Sequence, residues 1–140
     1  MSGTTRRVAF WGTAIVLVHF LANIAHAAAH LNLKVPLNRA DTAFVVTIIL
    51  LCPLIAMGLL WTPRVRMGLL LFTFSMGGSL LFGFYHHFVA EGPDHVGGHG
   101  PGLWAATFTI SAYVLLVLEA TGTYAGIHLF RQRNRRSGCE

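Results

Sequence analysis

Charge is what this chain has least of, and acid above all: 140 residues hold ten Lys or Arg and five Asp or Glu. The gaps between charges matter more than their number. No Asp, Glu, Lys or Arg occurs from Val8 to Leu33, from Thr42 to Pro63 or from Met67 to Ala90, and from His95 to Phe130 the only one is Glu119. A hydrocarbon core of about 30 Å takes roughly 20 apolar residues as helix. Each stretch is long enough, and a soluble domain would have to hide all four. Cysteine is equally scarce. Cys52 falls mid-span and Cys139 in the tail, so the two cannot pair within one chain and no disulfide framework exists. There is no P-loop, no nucleophile elbow and no cysteine-based metal motif, so no standard enzyme class is indicated and catalysis stays an open question.

The expected fold is therefore an all-α membrane protein, a four-helix transmembrane bundle. Its spans lie at about residues 8–30, 42–62, 67–88 and 101–130, with an outer loop at 89–100 and a basic tail at 131–140. Asp41 or Thr42 can cap the second span, Cys52-Pro53 should kink it, and Trp61-Thr62-Pro63 should stop it. Pro101 should open the fourth span. Ser75, Ser79 and Gly83 on span three, Gly122 and Gly126 on span four, and Ala25 and Ala29 on span one form small-residue ridges that would let helices approach in lipid.

Arg6, Arg7, Arg64, Arg66, Arg131, Arg133, Arg135 and Arg136 would share one side of the membrane, leaving Lys34 and Arg39 on the other. By the positive-inside rule both termini are cytoplasmic, and in a bacterium the bilayer would be the inner membrane. Positive charge spent on anchoring speaks against a nucleic-acid partner; the expected partners are the lipid bilayer, a larger membrane complex or further copies of the chain. Arg6-Arg7 followed by an apolar run and Ala25-His26-Ala27 imitates a signal peptide cleaved after residue 27, but the run is longer than the usual apolar region of about 7–15 residues and reads as a span.

Histidine is what the chain does have. Seven of its eight histidines fall on or near the outer side of this topology. His19, Asn23, His26 and His30 lie within a narrow arc of span one, His86 and His87 end span three, and His95 and His99 sit in the following loop with Asp94 and Glu91. His26 and His30 are spaced i and i+4, which sets two rings on one helix face to chelate together. Neutral imidazoles with a carboxylate suit Zn²⁺, Cu²⁺, Fe²⁺ or Ni²⁺. The expected metal set is His26, His30, His86, His87, His95, His99 and Asp94, in a protein that transports, delivers or senses the metal.

Two alternatives stay open. A single b-type haem held by His26 or His30 facing His86 or His87, or work beside a quinone, would make the chain a redox subunit. A structural or pH-responsive role would need no cofactor. Inside the membrane, Glu119 should be protonated or paired, and His19, at comparable depth by residue count, is the first partner to expect. With Asn23 above them, His19 and Glu119 would begin a proton or ion path.

Overall fold

The structure is a computed structural model that describes residues 3–137, and the side chains among these except residues 4 and 133–137. Cys139 and Glu140 lie outside the described residues, as do the side chains of Arg133, Arg135 and Arg136. The described chain is helical with no strand. It runs α1 (Gly3–Leu33), α2 (Arg39–Phe44), a π-helical segment π1 (Val45–Leu51), α3 (Cys52–Leu60), α4 (Val65–Phe84), a second π-helical segment π2 (Tyr85–Val89) and α5 (Leu103–Ser137). Four helices are long and apolar enough to cross a membrane: Thr5–Leu33, Arg39–Leu60, Val65–Val89 and Leu103–Gln132.

Each end of these helices has a chemical cause. α1 stops where Lys34 takes a left-handed φ of 54°. The Lys34 and Val35 amides turn back to the Leu31 and His30 carbonyls at 3.4 and 3.0 Å, a Schellman cap built without glycine. The second span is capped by Asn38, not by Asp41 or Thr42. Asn38 Oδ1 accepts from the Asp41 amide at 2.9 Å, and its Nδ2 donates to Asp41 Oδ2 at 2.6 Å. Asp41 thus completes the cap from the third helical position, where a carboxylate also meets the positive end of the helix dipole.

Pro53 brings no amide to the helix, and the chain answers with seven residues of wider π-helix before it; the Cys52 amide reaches back five residues to Thr47. α3 then ends at Trp61, as the Trp-Thr-Pro sequence predicts. α5 begins at Leu103, two residues beyond Pro101, so the proline ends the loop and does not sit in the first turn. It also continues to Ser137, making the basic segment expected as a tail part of the helix.

The helices form a ring in chain order. α4 packs on α5, α5 on α1 and α3 on α4, while the seam between α1 and the second span is thinner and the diagonal contacts are slight. Trp61 Nε1 closes the seam at the arginine end with a 2.8 Å bond to Thr13 Oγ1. Two apolar clusters fill that end and the middle: Ala9, Leu60, Val65 and Leu69, then Val16, Ala56, Phe72 and Met76. The span-four glycines have the expected role, since a methyl group at Gly122 would press on Met76 and one at Gly126 on Thr73 and Phe72. The span-one ridge does not: Ala29 is buried but Ala25 is exposed, lying past the edge of the arc that His19, His26 and His30 turn inward.

Polarity is distributed inside out. His19, Ser75, Ser79, Ser111 and Glu119 are buried, while Leu21, Phe74, Leu81, Val117 and Tyr124 are each more than 60% exposed. An apolar exterior around buried polar groups is the arrangement expected of helices long and apolar enough to cross a membrane.

Candidate metal centre

The histidine end of the bundle is built on three elements. The last turns of α1 present His26 and His30 one above the other. The wider turn of π2 delays the helix register by about one residue, so that His87 is buried and His86 only partly so. The loop after π2 then folds back. The Val96 amide bonds the His87 carbonyl at 3.1 Å, and the Asp94 carbonyl accepts from His87 Nδ1 at 2.9 Å.

His26, His30 and His87 converge, with their ligand atoms all within 4.8 Å of one another, and could together hold a metal ion. His26 Nε2 lies 3.2 Å from His87 Nε2 and 3.1 Å from His30 Nε2. Two nitrogens bound to Zn²⁺ at about 2.0–2.1 Å in tetrahedral geometry stand about 3.3 Å apart, so these separations match two edges of a coordination polyhedron.

The hydrogen bonds around the rings say where the protons are. The Asp94 carbonyl can only accept, so His87 carries its proton on Nδ1 and its Nε2 is bare when the ring is neutral. Ser111 Oγ lies 2.6 Å from the Thr107 carbonyl and 3.0 Å from the Phe108 carbonyl, which commits its only proton. It must then accept from His26 Nδ1 at 2.8 Å, leaving His26 Nε2 bare as well. Two lone pairs facing each other at 3.2 Å repel unless a cation or proton lies between them.

His30 is the adaptable member. Its Nε2 faces both His26 and Asp94 Oδ1, the latter at 3.2 Å, while its buried Nδ1 has no partner. Asp94 Oδ1 is also 3.3 Å from His87 Nδ1, so the carboxylate stands beside two of the three rings. Burial alone would raise the Asp94 carboxyl. The hydrogen bond from His87 and the charges of His87, His30 and His26 outweigh it and hold the group below the usual carboxylate range.

The other residues expected as ligands lie apart from this triad. His86 stacks on Phe82 and is 4.0 Å from both Asp41 and Asp94. His95 turns its Nδ1 to the Gly97 amide at 3.1 Å, inside its own loop. His99 packs edge-on against Phe108 at 4.7 Å, with a buried Nε2 lacking a partner. Glu91 is exposed. Deeper in the bundle His19 Nε2 meets Glu119 Oε1 at 3.1 Å, and Asn23 Nδ2 spans the His19 carbonyl at 3.0 Å and the ring at 3.2 Å.

Phe108 and Ser111 are the contributors that sequence reasoning missed. Phe108 touches the rings of His26, His30, His87 and His99, with centroids 4.7–5.4 Å apart. The signal was present: Phe108, Ser111, Ala112, Leu115 and Glu119 share one α5 face, and extending the Glu119 stripe outward reaches both. The same packing bears on haem. A planar macrocycle needs a slot between its axial imidazoles, and of the candidate pairs His26 and His87 leave none, since they meet edge to face with Phe108 stacked on His26.

No family model matches the chain, and no curated protein or solved structure does either.

Proposed function

We propose that this is a small integral membrane protein that binds one divalent transition metal through His26, His30 and His87 at the outer end of the bundle, as a transport, delivery or sensing component. The observation that supports this reading most is the pair of bare Nε2 atoms on His26 and His87, 3.2 Å apart and fixed in that tautomer by Ser111 and the Asp94 carbonyl. A hydrogen bond from the far nitrogen of a ligating ring orients the imidazole and raises its basicity.

Three nitrogen ligands leave a coordination position for Asp94 or an external ligand, which suits Zn²⁺, Cu²⁺ or Fe²⁺ and distinguishes the site from a closed structural one. The lone carboxylate offsets part of the dication's charge in a poorly solvated place. Lipid on all sides and a loop lid from residues 90–102 would set the site at the membrane interface. In this reading the His19–Glu119 pair lies beneath the metal as the inward continuation of the polar interior.

The test is elemental analysis and absorption spectroscopy of the purified protein, followed by titration with Zn²⁺, Co²⁺ and Cu²⁺. One tightly held ion per chain, with a tetrahedral or five-coordinate Co²⁺ spectrum, is the expected result. A Soret band, or no stoichiometric ion before or after titration, would overturn the reading.

A further inference from the structure

A metal ion with three ligands needs little space, yet a cavity of about 620 Å³ runs alongside the triad. All four spans contribute walls, and most lining side chains are apolar. On α1 the lining runs through Phe20, Asn23, Ile24, Ala27, Leu31 and Lys34. Fourteen residues of helix cover about 21 Å, so the cavity is long. Its facing wall is the π1 segment, with Val45, Ile49 and Leu50. This half of span two packs on α1 at most slightly, whereas α3 packs on it more, so the seam is tighter at the arginine end than at the histidine end.

The polar groups of the cavity are unevenly placed. Lys34 marks one end, Asn23 and Glu119 lie at the other, and the three triad histidines with Asp94 lie between. Gly83 opens a notch there: a methyl group on it would sit 3.7 Å from Glu119 Oε2 and 3.9 Å from His87 Cδ2. Glu119 Oε2 could therefore bond a group resting on Gly83, and the edge of the His87 ring could pack against it. His30, nine-tenths buried, adds a ring nitrogen with no partner in the structure.

These features select among occupants. Water is poorly held by walls this apolar. A lipid acyl chain with its head at Lys34 would drive its apolar end onto Asn23 and Glu119 and strand their polar atoms. The geometry points to a lipid-soluble molecule with the opposite polarity, and we propose that the cavity binds a quinol or similar phenolic lipid. Its hydroxylated ring lies over Gly83 between His87 and Glu119, and its tail leaves between α1 and π1. A flat ring suits the glycine notch, where it can rest on the edge of the His87 ring, and a hydroxyl both donates and accepts, as the Glu119 carboxyl and the Asn23 amide require. The volume lies within the range of about 300–1,000 Å³ usual for small-molecule sites. The proposal concerns the same end of the molecule as the metal centre but does not depend on the metal.

The test is equilibrium binding of a decyl-substituted para-benzoquinol to the full chain in detergent, with and without chelator. Saturable binding of one molecule per chain is expected. Gly83→Leu and Ile49→Trp fill the notch from opposite walls and should each weaken it by about tenfold or more. Gly83→Ala, whose methyl fits without a clash, should weaken it less. Leu81→Trp on the exposed exterior should leave it unchanged. Melting temperatures exclude misfolding, and two independent filling variants keep the test open if one fails to fold. Quinol binding that survives His26→Ala while metal binding is lost would support this site even if the metal reading were altered. No saturable binding, equal binding by the filled variants, or equal affinity for decanoic acid would overturn it, the last showing a plain acyl-chain cavity.

Discussion

Replacing His26 removes the one ring whose Nε2 lies near both of the others, so its loss should be felt at once in metal affinity. Alanine at His26, His30 or His87 is expected to weaken Co²⁺ or Zn²⁺ binding by more than about 100-fold. Ser111→Ala, which frees His26 to change tautomer, should cost about 10–100-fold. His86→Ala and His128→Ala should match the parent; wild-type affinity in the three triad variants would remove the site. Asp94 supplies a pH signature in the metal-stripped protein. Its folded pKa lies below the ordinary value, so its contribution to stability is present above about pH 3.9 and is lost as pH falls through the folded value. The melting temperature of Asp94→Asn should therefore fall below that of the parent near neutral pH and converge with it below about pH 4; a constant gap would contradict this.

His19 and Glu119 are the deepest polar pair, 3.1 Å apart and both less than 5% exposed. A double-mutant cycle with His19→Gln and Glu119→Gln should show a coupling of about 0.5–3 kcal/mol. Additive effects across pH 5–9 would mean that the two side chains do not act on each other.

At the scale of elements, glycines that look alike in sequence have different roles. A methyl group at Gly68 would lie 2.9 Å from the Leu60 backbone nitrogen and 3.1 Å from the Leu59 carbonyl carbon, while one at Gly58 meets nothing within 4 Å. Because backbone cannot step aside as a flexible side chain can, Gly68→Ala should destabilise by about 1–3 kcal/mol. Gly58→Ala should be neutral or stabilise by up to about 1 kcal/mol, by reducing the backbone entropy lost in the helix. Thermal unfolding in detergent separates the two, and equal effects would show that the α3–α4 turn is not tightly packed.

The charge-free runs made the four apolar helices legible, because length and apolarity suffice for that. The i, i+4 and i+7 arithmetic placed His19, His26 and His30 on one arc for the same reason. What periodicity could not show was where the α-helical period changes. In π2 the delayed register puts His87, rather than His86, on the inward face, so one of the two neighbours joins the triad and the other lies near Asp41 and Asp94. Loop residues were beyond such arithmetic altogether. Asp94, His95 and His99 are tethered alike, yet only the backbone path of the loop brings Asp94 against two of the three rings.

At the scale of the whole molecule, the two ends of the bundle differ in kind. One end carries arginines and an apolar core; the other carries the triad, the looser seam and only Lys34 and Arg39 as basic residues. Moving a guanidinium-rich end across a bilayer is costly, and cells read that asymmetry as orientation. Eight arginines against one lysine and one arginine therefore predict that reporters fused after Glu140 and within Arg64–Arg66 report the cytoplasm, and that one at Gly97-Gly98 reports the outside. Charge reversal sharpens the test: Arg64→Glu with Arg66→Glu lowers the bias by two without touching the histidine end, and should leave the orientation unchanged or mixed. Adding lysines beside Gly97 to such a variant should raise the inverted fraction further. The measurement is labelling of single cysteines placed at these sites, in a Cys52→Ser and Cys139→Ser background, with a membrane-impermeant thiol reagent. If the Gly97 site were shielded and the Arg64–Arg66 turn labelled from outside in the parent charge pattern, the histidine triad would face the cytoplasm. Any metal bound there would then come from the cell interior, and the proposed role in outward-facing uptake or sensing would fall with the topology.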